Sequence, residues 1–320
     1  MQEIYELIYM VRFVLKRISN ALLTIFIVIT CTFFMIKLSP GNPFASEKTN
    51  EAAIKALERA YNVDKNIVLQ YFDYIKNLIF HQDFGLSFKN IGVQVNDLIF
   101  PSDGESGFWL SIKFGIIVFI IVVIFGLLLG ILAALNPNSK VDRAINSFTV
   151  IGITIPPVVT SPILVLVFSV MLKIFPPLGW EMNFSHLFLP VLALSIPNIC
   201  FLAQIQRNSL LEVLNSNFII TAKAKGVNRE RILMKHALKP SLIPSISFLG
   251  PTAAGILTGS VVVEKMFQFP GIGTLTVNSA LNRDYSVVLA LVIIYSALLI
   301  FCNTIVDIIY TFLSPKVDIN

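Results

Sequence analysis

The 320-residue chain reads as an all-α integral membrane protein with six transmembrane helices and both termini in the cytoplasm. Hydrophobic residues make up 55% of it and charged residues 13%, too few charges to cover a water-facing globule of this length. Six apolar runs, near 20–38, 110–135, 147–174, 187–206, 242–263 and 287–312, are each long enough as a helix to cross a hydrocarbon core of about 30 Å. Between the fourth and fifth runs lies a loop, residues 207–240, with seven basic side chains against two acidic ones. Basic loops resist translocation, which places this one in the cytoplasm. An even number of crossings returns both ends to that side, where Arg12, Lys16, Arg17, Lys140, Arg143 and Lys316 join it.

Residues 1–38 form a cytoplasmic segment and the first span. Lys16 and Arg17 precede its apolar core as in a secretory signal, but no A-x-A pattern follows, so an uncleaved anchor is expected. Residues 39–108 form an external segment in which nine acidic residues outnumber six basic ones. Asn50 is placed to cap a helix over 51–61 with Ile54, Leu57 and Tyr61 on one stripe. Asp64 precedes a second helix whose apolar side carries Ile67, Tyr71, Phe72, Ile75 and Leu78.

Residues 109–320 hold the other five spans. Trp109 and Trp180 fall at expected outer boundaries, where indoles favour the interface. Prolines enter the third span (Pro156, Pro157, Pro162), the fourth (Pro190, Pro197) and the fifth (Pro244, Pro251). Each removes an intrahelical hydrogen bond that neighbouring protein or cavity water must replace, as in a transport bundle. Gly126 with Gly130, and Gly255 with Gly259, are GxxxG pairs that fit either a subunit interface or internal packing. Cys31, Cys200 and Cys302 lie one per span with no metal-ligand spacing, so they read as apolar fillers and no metal site is expected. Asp307, an acid near the inner end of the last span, fits a bond to a neighbouring helix end. His81 and His186 are solitary and carry no chemistry.

Within the basic loop, Asn217 or Ser216 can begin a short helix that ends at Gly226. Asn228 can cap a second helix running through His236 to Leu238, stopped by Pro240. Ala222, Ala224, Val227, Ile232, Leu233 and Leu238 supply its apolar contacts. On physics alone two readings fit: a surface for a partner protein, or a basic amphipathic segment held on anionic lipid headgroups.

The run from Thr221 to Pro244, TAKAKGVNRERILMKHALKPSLIP, resembles the cytoplasmic coupling motif of ABC importer permeases, EAA followed by three residues, Gly, nine residues, then I-x-L-P. Aligned on Gly226, the EAA positions hold Ile220, Thr221 and Ala222, and His236 and Leu238 fall in the I-x-L part. Ile220 replaces the glutamate and Lys239 the proline, so the acid's role is not carried over. The likeness continues in SPGNPF after the first run, DFGLSF at 83–88, GSVVVEKMFQFPGIG at 259–273, LNRDY at 281–285 and VDIIYTFLSPKV at the end. The chain is similar throughout to the dipeptide, oligopeptide and nickel permeases, nearest to the B-type subunits of oligopeptide permeases.

That resemblance implies a type I ABC importer permease bundle in the bacterial inner membrane. It implies four kinds of partner besides membrane lipid: a second homologous permease subunit, two cytoplasmic ABC ATPase subunits and an external peptide-binding protein, with no nucleic acid. The ATPase-coupling residues it points to are Thr221, Ala222, Lys223, Ala224, Lys225, Gly226, Arg229, Arg231, His236 and Leu238. Glu264, Lys265 and Phe267, closing the fifth span outside, are candidates for an outer gate or receptor contact. ATP and Mg are expected on the ATPases, since the chain has no GxxxxGK[ST] loop. Nor does it carry HExxH or a GxSxG elbow, so no catalytic residue is assigned. A dipeptide or nickel permease, and a non-transporting membrane scaffold, are the alternatives.

Overall fold

The computed structural model describes residues 2–38, 44, 51–61, 64–102, 104, 107–177, 179–181 and 183–313, and among them the ordered elements are helices. In chain order these are α1 (Gln2–Leu38), α2 (Glu51–Ala60), α3 (Ile67–His81), α4 (Val95–Ile99), α5 (Gly107–Leu135), α6 (Lys140–Thr154) and α7 (Pro157–Leu164). Then follow α8 (Phe184–Leu214), α9 (Asn217–Ala224), α10 (Arg229–Arg231), α11 (Leu238–Leu257), α12 (Val261–Met266), α13 (Ile272–Leu281) and α14 (Tyr285–Leu313). Two π-helical stretches, Val165–Met171 and Ile232–Ala237, run on directly from α7 and α10.

Among the described residues five helices are long and apolar enough to cross a membrane: Leu15–Leu38, Gly107–Leu135, Phe184–Leu214, Arg229–Met266 and Tyr285–Tyr310. The expected third span is not a straight helix. It is a pair, Lys140–Thr154 and Pro157–Met171, bent by 105°. Ile155 and Pro156 take extended dihedrals between them, because Pro156 disfavours helix at the residue before it and Pro157 opens the next helix instead. By length and composition the described residues therefore supply five candidate spans, or six if the bent pair is one span.

The chain packs as two compact units, each assembled from separated pieces. The first comprises residues 1–17, 113–269 and 299–320. Its axis is α8, against which α6, α7 and α11 pack. A Cβ on Gly130 would stand 2.6 Å from the Ala203 carbonyl oxygen and 2.7 Å from Gln206 Cβ, so glycine is what lets α5 approach α8. Gln206 is fully buried and both ends of its amide are satisfied from α11: Nε2 donates to Ser241 Oγ at 3.1 Å and Ser245 Oγ donates to Oε1 at 2.7 Å. In hydrocarbon such a side chain is tolerated only when paired, and here it joins two spans. Arg17 of α1 pairs with Asp307 of α14 at 3.2 Å, so the acid bonds a side chain in the body of a neighbouring helix rather than the expected helix end, because α1 runs on past Arg17 to Gln2.

The second unit comprises residues 18–112 and 270–298. One of its clusters gathers Ile29, Phe33, Tyr71, Leu289 and Ile293, with Thr30 Oγ1 and Tyr71 hydroxyl 2.7 Å apart. Another gathers Val95, Ile99, Ile272, Val287 and Leu291. Helix α3 follows Asp64 as expected and is capped by Asn66, whose side chain accepts from the Val68 amide. The expected Asn50 cap and the Ile54 contact lie outside the described residues. Burial raises the Tyr74 hydroxyl pKa far above its ordinary value, and the nearby Asp83 carboxylate adds to the shift.

DFGLSF and LNRDY meet in this unit. Asp284, buried, accepts from Ser87 Oγ at 2.5 Å and from the Phe88 amide at 3.0 Å, while Ser87 Oγ accepts from the Asn90 amide at 2.8 Å. The carboxylate thus fixes a reversed turn, closed by Ser87 N–H to Val93 O at 3.0 Å, to the start of α14.

Candidate functional site

The basic segment 207–240 is a folded unit with its own core. Helix α8 extends past its apolar stretch to Leu214, and the chain reverses through Asn215 and Ser216. Ser216 is the N-cap of α9, by backbone conformation only, because its hydroxyl donates to Val213 O at 2.6 Å. The helix closes as expected at Gly226. The Gly226 amide donates to Lys223 O and the Val227 amide to Ala222 O, with Gly226 at φ +77°, a left-handed turn that satisfies the last carbonyls. Asn228 caps the following helix, its side chain accepting from the Glu230 amide at 3.3 Å.

That second helix does not stop at Pro240. It runs through α10 and the π-helical turn into α11, so one continuous helix carries both the basic segment and the fifth span. The wide turn supplies the reason. Leu238 N–H already reaches back five residues, to Leu233 O, and this loosened ladder just ahead of Pro240 accommodates a residue that has no N–H to donate.

Ile219, Ile232, Ala237, Leu210 and Ala134 are buried together, and Ala222, Val227, Leu233 and Leu238 pack on them as expected. Ala224 is exposed instead. Thr221 is also exposed, its hydroxyl donating to Asn217 O at 2.9 Å, and His236 is half-buried. Lys223, Lys225, Arg229 and Arg231 all face outward, and Arg229 Nη2 donates to Leu135 O at 3.1 Å.

Three large apolar side chains also face outward: Ile220 (54% exposed), at the position of the motif's glutamate, and Phe218 (52%) and Met234 (68%), which the sequence reading does not single out. The signal was present, since α9 reads NFIITAKA, apolar on more sides than one packed face requires. The segment thus exposes large apolar side chains as well as its basic ones.

The segment is braced from the side by Arg207. Its Nε donates to Asp142 Oδ1 at 2.6 Å and its Nη2 to Oδ2 at 2.9 Å, a two-pronged pair whose acid is almost wholly buried. Asp142 also accepts from the Asn138 amide at 2.9 Å, which ties the turn after α5 to α8. A cleft of about 690 Å³ opens between that turn and the basic segment. Its wall includes Leu135, Pro137, Leu211, Leu214, Ile232 and Leu233, with Lys223 and Arg229 beside them.

The outer candidates do not sit together on a surface. Glu264 is 1% exposed and Phe267 5%, both interior, and of the three only Lys265 is exposed. The neighbouring Phe269 is buried, its ring centroid 4.9 Å from that of Phe114 and 4.1 Å from that of Trp180. Trp180, expected at an outer boundary, thus packs on protein. No group of three or more potential metal ligands occurs among the described residues.

Several helices long and apolar enough to span a membrane, one of them continuous with a folded basic segment, define the class: a polytopic membrane protein. The comparisons give the family. Residues 126–319 match the model of the binding-protein-dependent transport system inner membrane component, and residues 10–92 match that of its N-terminal part. The chain is 46% identical to the oligopeptide transport system permease protein OppB of Haemophilus influenzae over 96% of its own length and 99% of that protein. It is 44% identical to OppB of Escherichia coli over the same shares, and 40% identical to the dipeptide transport system permease protein DppB of Bacillus subtilis over 97% and 99%.

Two solved structures share the fold. One is a chain of the MetNI methionine ABC transporter in an inward facing conformation (TM-score 0.51, 19% identity, 63% of this chain and 93% of that one). The other belongs to an amino acid ABC transporter with histidines (TM-score 0.51, 15% identity, 69% and 100%). The chain belongs to the family of inner membrane components of binding-protein-dependent transport systems. It is a multi-pass inner membrane protein.

Proposed function

We propose that the chain is the B-type permease subunit of an ATP-driven oligopeptide importer and forms the pathway with a second, homologous permease subunit. An external peptide-binding protein delivers the substrate. Two cytoplasmic ATPases dock on α9, the Gly226 turn and the residues up to Leu238, and ATP and Mg bind there rather than on this chain. Both termini and segment 207–240 are cytoplasmic.

One observation supports the coupling role most. The exposed Phe218, Ile220 and Met234, set among Lys223, Lys225, Arg229 and Arg231, lie on a segment that is helically continuous with a membrane span. An ATPase that contacts this surface differently in its open and closed states biases the tilt of that span. Thr221, Ala222 and Ala224 keep α9 slim enough to seat in a groove. His236 and Leu238 sit where the continuous helix leaves the segment. At the outer end, Lys265 is the exposed candidate for contact with the binding protein, while Glu264 and Phe267 act from the interior on the position of α12.

Oligopeptides are favoured over dipeptides because the oligopeptide permeases are the more similar relatives, at 44 to 46% identity against 40%. Membership of a transport family leaves no support for a scaffold. The test is ATPase activity of the full complex in proteoliposomes. We expect stimulation by binding protein loaded with oligopeptide, and its loss in Gly226→Val with the complex still assembled. A Cβ at Gly226 meets nothing within 4 Å, so the valine acts through the left-handed backbone alone, at about 1–2 kcal/mol. Stimulation only by dipeptides or nickel would reassign the substrate, and an unaffected Gly226→Val would remove the coupling role.

A further inference from the structure

Helix α3 carries two apolar faces and packs only one of them. Ile67, Tyr71, Tyr74, Ile75 and Leu78 lie against side chains of α1 and α14. Val68, Leu69, Phe72, Ile79 and Phe80 do not, and are 48% to 75% exposed; Phe72 thus departs from the packed side expected for it. Helical spacing puts Val68, Phe72 and Ile79 on one stripe, with Leu69 and Phe80 beside it. Gln70, Asp73 and Asn77 form a polar stripe on the far side of the helix from Phe72.

Two spans fix the depth of this helix. No charged residue lies between Arg17 and Lys37 in α1, or between Asp284 and Asp307 in α14. Each stretch matches a hydrocarbon core of about 30 Å. Lys37 and Asp284 mark the same edge of it, because both meet Phe88: Lys37 Nζ stands 5.8 Å from its ring centroid, and Asp284 accepts from its amide at 3.0 Å. Tyr71 of α3 reaches inward from that edge. Its hydroxyl is 2.7 Å from Thr30 Oγ1 and its ring stacks on Phe34 at 5.3 Å, positions that lie about 5–10 Å along α1 from Lys37. In α14 the same cluster takes Leu289 and Ile293, about 7–14 Å in from Asp284.

At such a depth an exposed apolar face meets acyl chains rather than water. One turn deeper, α1 presents the same kind of surface in Leu22, Leu23, Phe26 and Ile27, all exposed. The polar stripe of α3 is turned toward the edge, where Gln70, Asp73 and Asn77 line a cavity of about 390 Å³ together with Lys37. Lys76, exposed among the apolar residues, has a stem long enough to carry its ammonium to the headgroups. Apolar residues toward the chains and polar ones toward the edge are the arrangement of a helix that lies in the interface, buried by about 5–10 Å.

We propose that α3 is embedded in the leaflet at the Lys37 end of α1, the outer one on the topology proposed above, with Val68, Leu69, Phe72, Ile79 and Phe80 against phospholipid acyl chains. The inference requires that α1 and α14 cross the bilayer, not that the chain carries peptides. Embedded there, α3 holds the DFGLSF turn at a set height on the membrane surface.

The test uses the wild-type complete importer in nanodiscs of phosphatidylcholine that bears a diazirine on one acyl chain, with labelled positions read by mass spectrometry after illumination. With the diazirine near the headgroup, Phe72 and Ile79 should carry about tenfold more label than Asp73 and Asn77. Moving the diazirine to the chain end should lower the label on Phe72 relative to that on Phe26, which lies deeper in α1. An unlabelled α3 beside a labelled Phe26 would mean that water or protein covers this face, and would overturn the inference. Equal label on Phe72 and Asp73 would do the same, as would label on α3 that appears only when the binding protein is left out.

Discussion

Asp142 shows how much a single side chain fixes. Its carboxylate holds Arg207 by two hydrogen bonds and the Asn138 amide by a third, with almost no exposure to water. Removing it strands a guanidinium that has little solvent of its own. Asp142→Ala should therefore cost about 3 kcal/mol, read as a lower thermal midpoint of the detergent-solubilised complex. Arg207→Lys should recover only part of that, because an ammonium cannot reproduce the fork. A midpoint within a degree of wild type for Asp142→Ala would refute the pair's bracing role. The sequence disclosed Arg207 only as one of seven basic residues. Its partner lies in a different helix, and no local pattern pairs them.

Among the elements, the two GxxxG pairs divide. Gly126 and Gly130 face the Leu202 side chain and the Ala203 backbone of α8, so this pair serves internal packing. A Cβ at Gly255 meets nothing within 4 Å. Gly130→Ala should destabilise by about 1–3 kcal/mol because it wedges two backbones apart, whereas Gly255→Ala should leave thermal unfolding unchanged. Comparison of the two midpoints checks this, and equal effects would contradict the division. Local chemistry made other element boundaries legible: Gly226 and Asn228 act on neighbouring amides and ended and began helices where expected. Pro156 announced a break, but not a bend of 105°, since the angle depends on what α6 and α7 pack against. Pro240 misled because its cost is absorbed by a π turn five residues long in reach, invisible to a reading based on α geometry.

At the scale of the whole molecule, the chain's two compact units explain why the outer residues were the hardest to place. A charged residue closing an apolar run reads as exposed, yet Glu264 is interior, because burial is decided by distant segments folding over it. Asp284 offers the same lesson from the other unit. DFGLSF and LNRDY lie about two hundred residues apart, and only the fold brings Ser87 onto the carboxylate. Asp284→Ala leaves the Phe88 amide and the Ser87 hydroxyl without their acceptor and should cost about 3 kcal/mol within that unit. Hydrogen exchange should then show lost protection across residues 87–95, with the amides of Gly226 and Val227 unchanged. Loss at both places would mean that the two units unfold as one.

The unbroken helix from Arg229 through Leu257 also sets a scale of amplification. At 1.5 Å per residue it is about 43 Å long, so a swing of about ten degrees at the basic end carries the far end through about 7 Å. That is close to the width of a side chain plus its neighbour. A rod of this length converts a small angular error at its base into a large positional one at its tip. Gln206, bonded to Ser241 and Ser245, grips the rod near its middle, so a swing about that grip would move the two ends in opposite directions and leave the residues beside it nearly still.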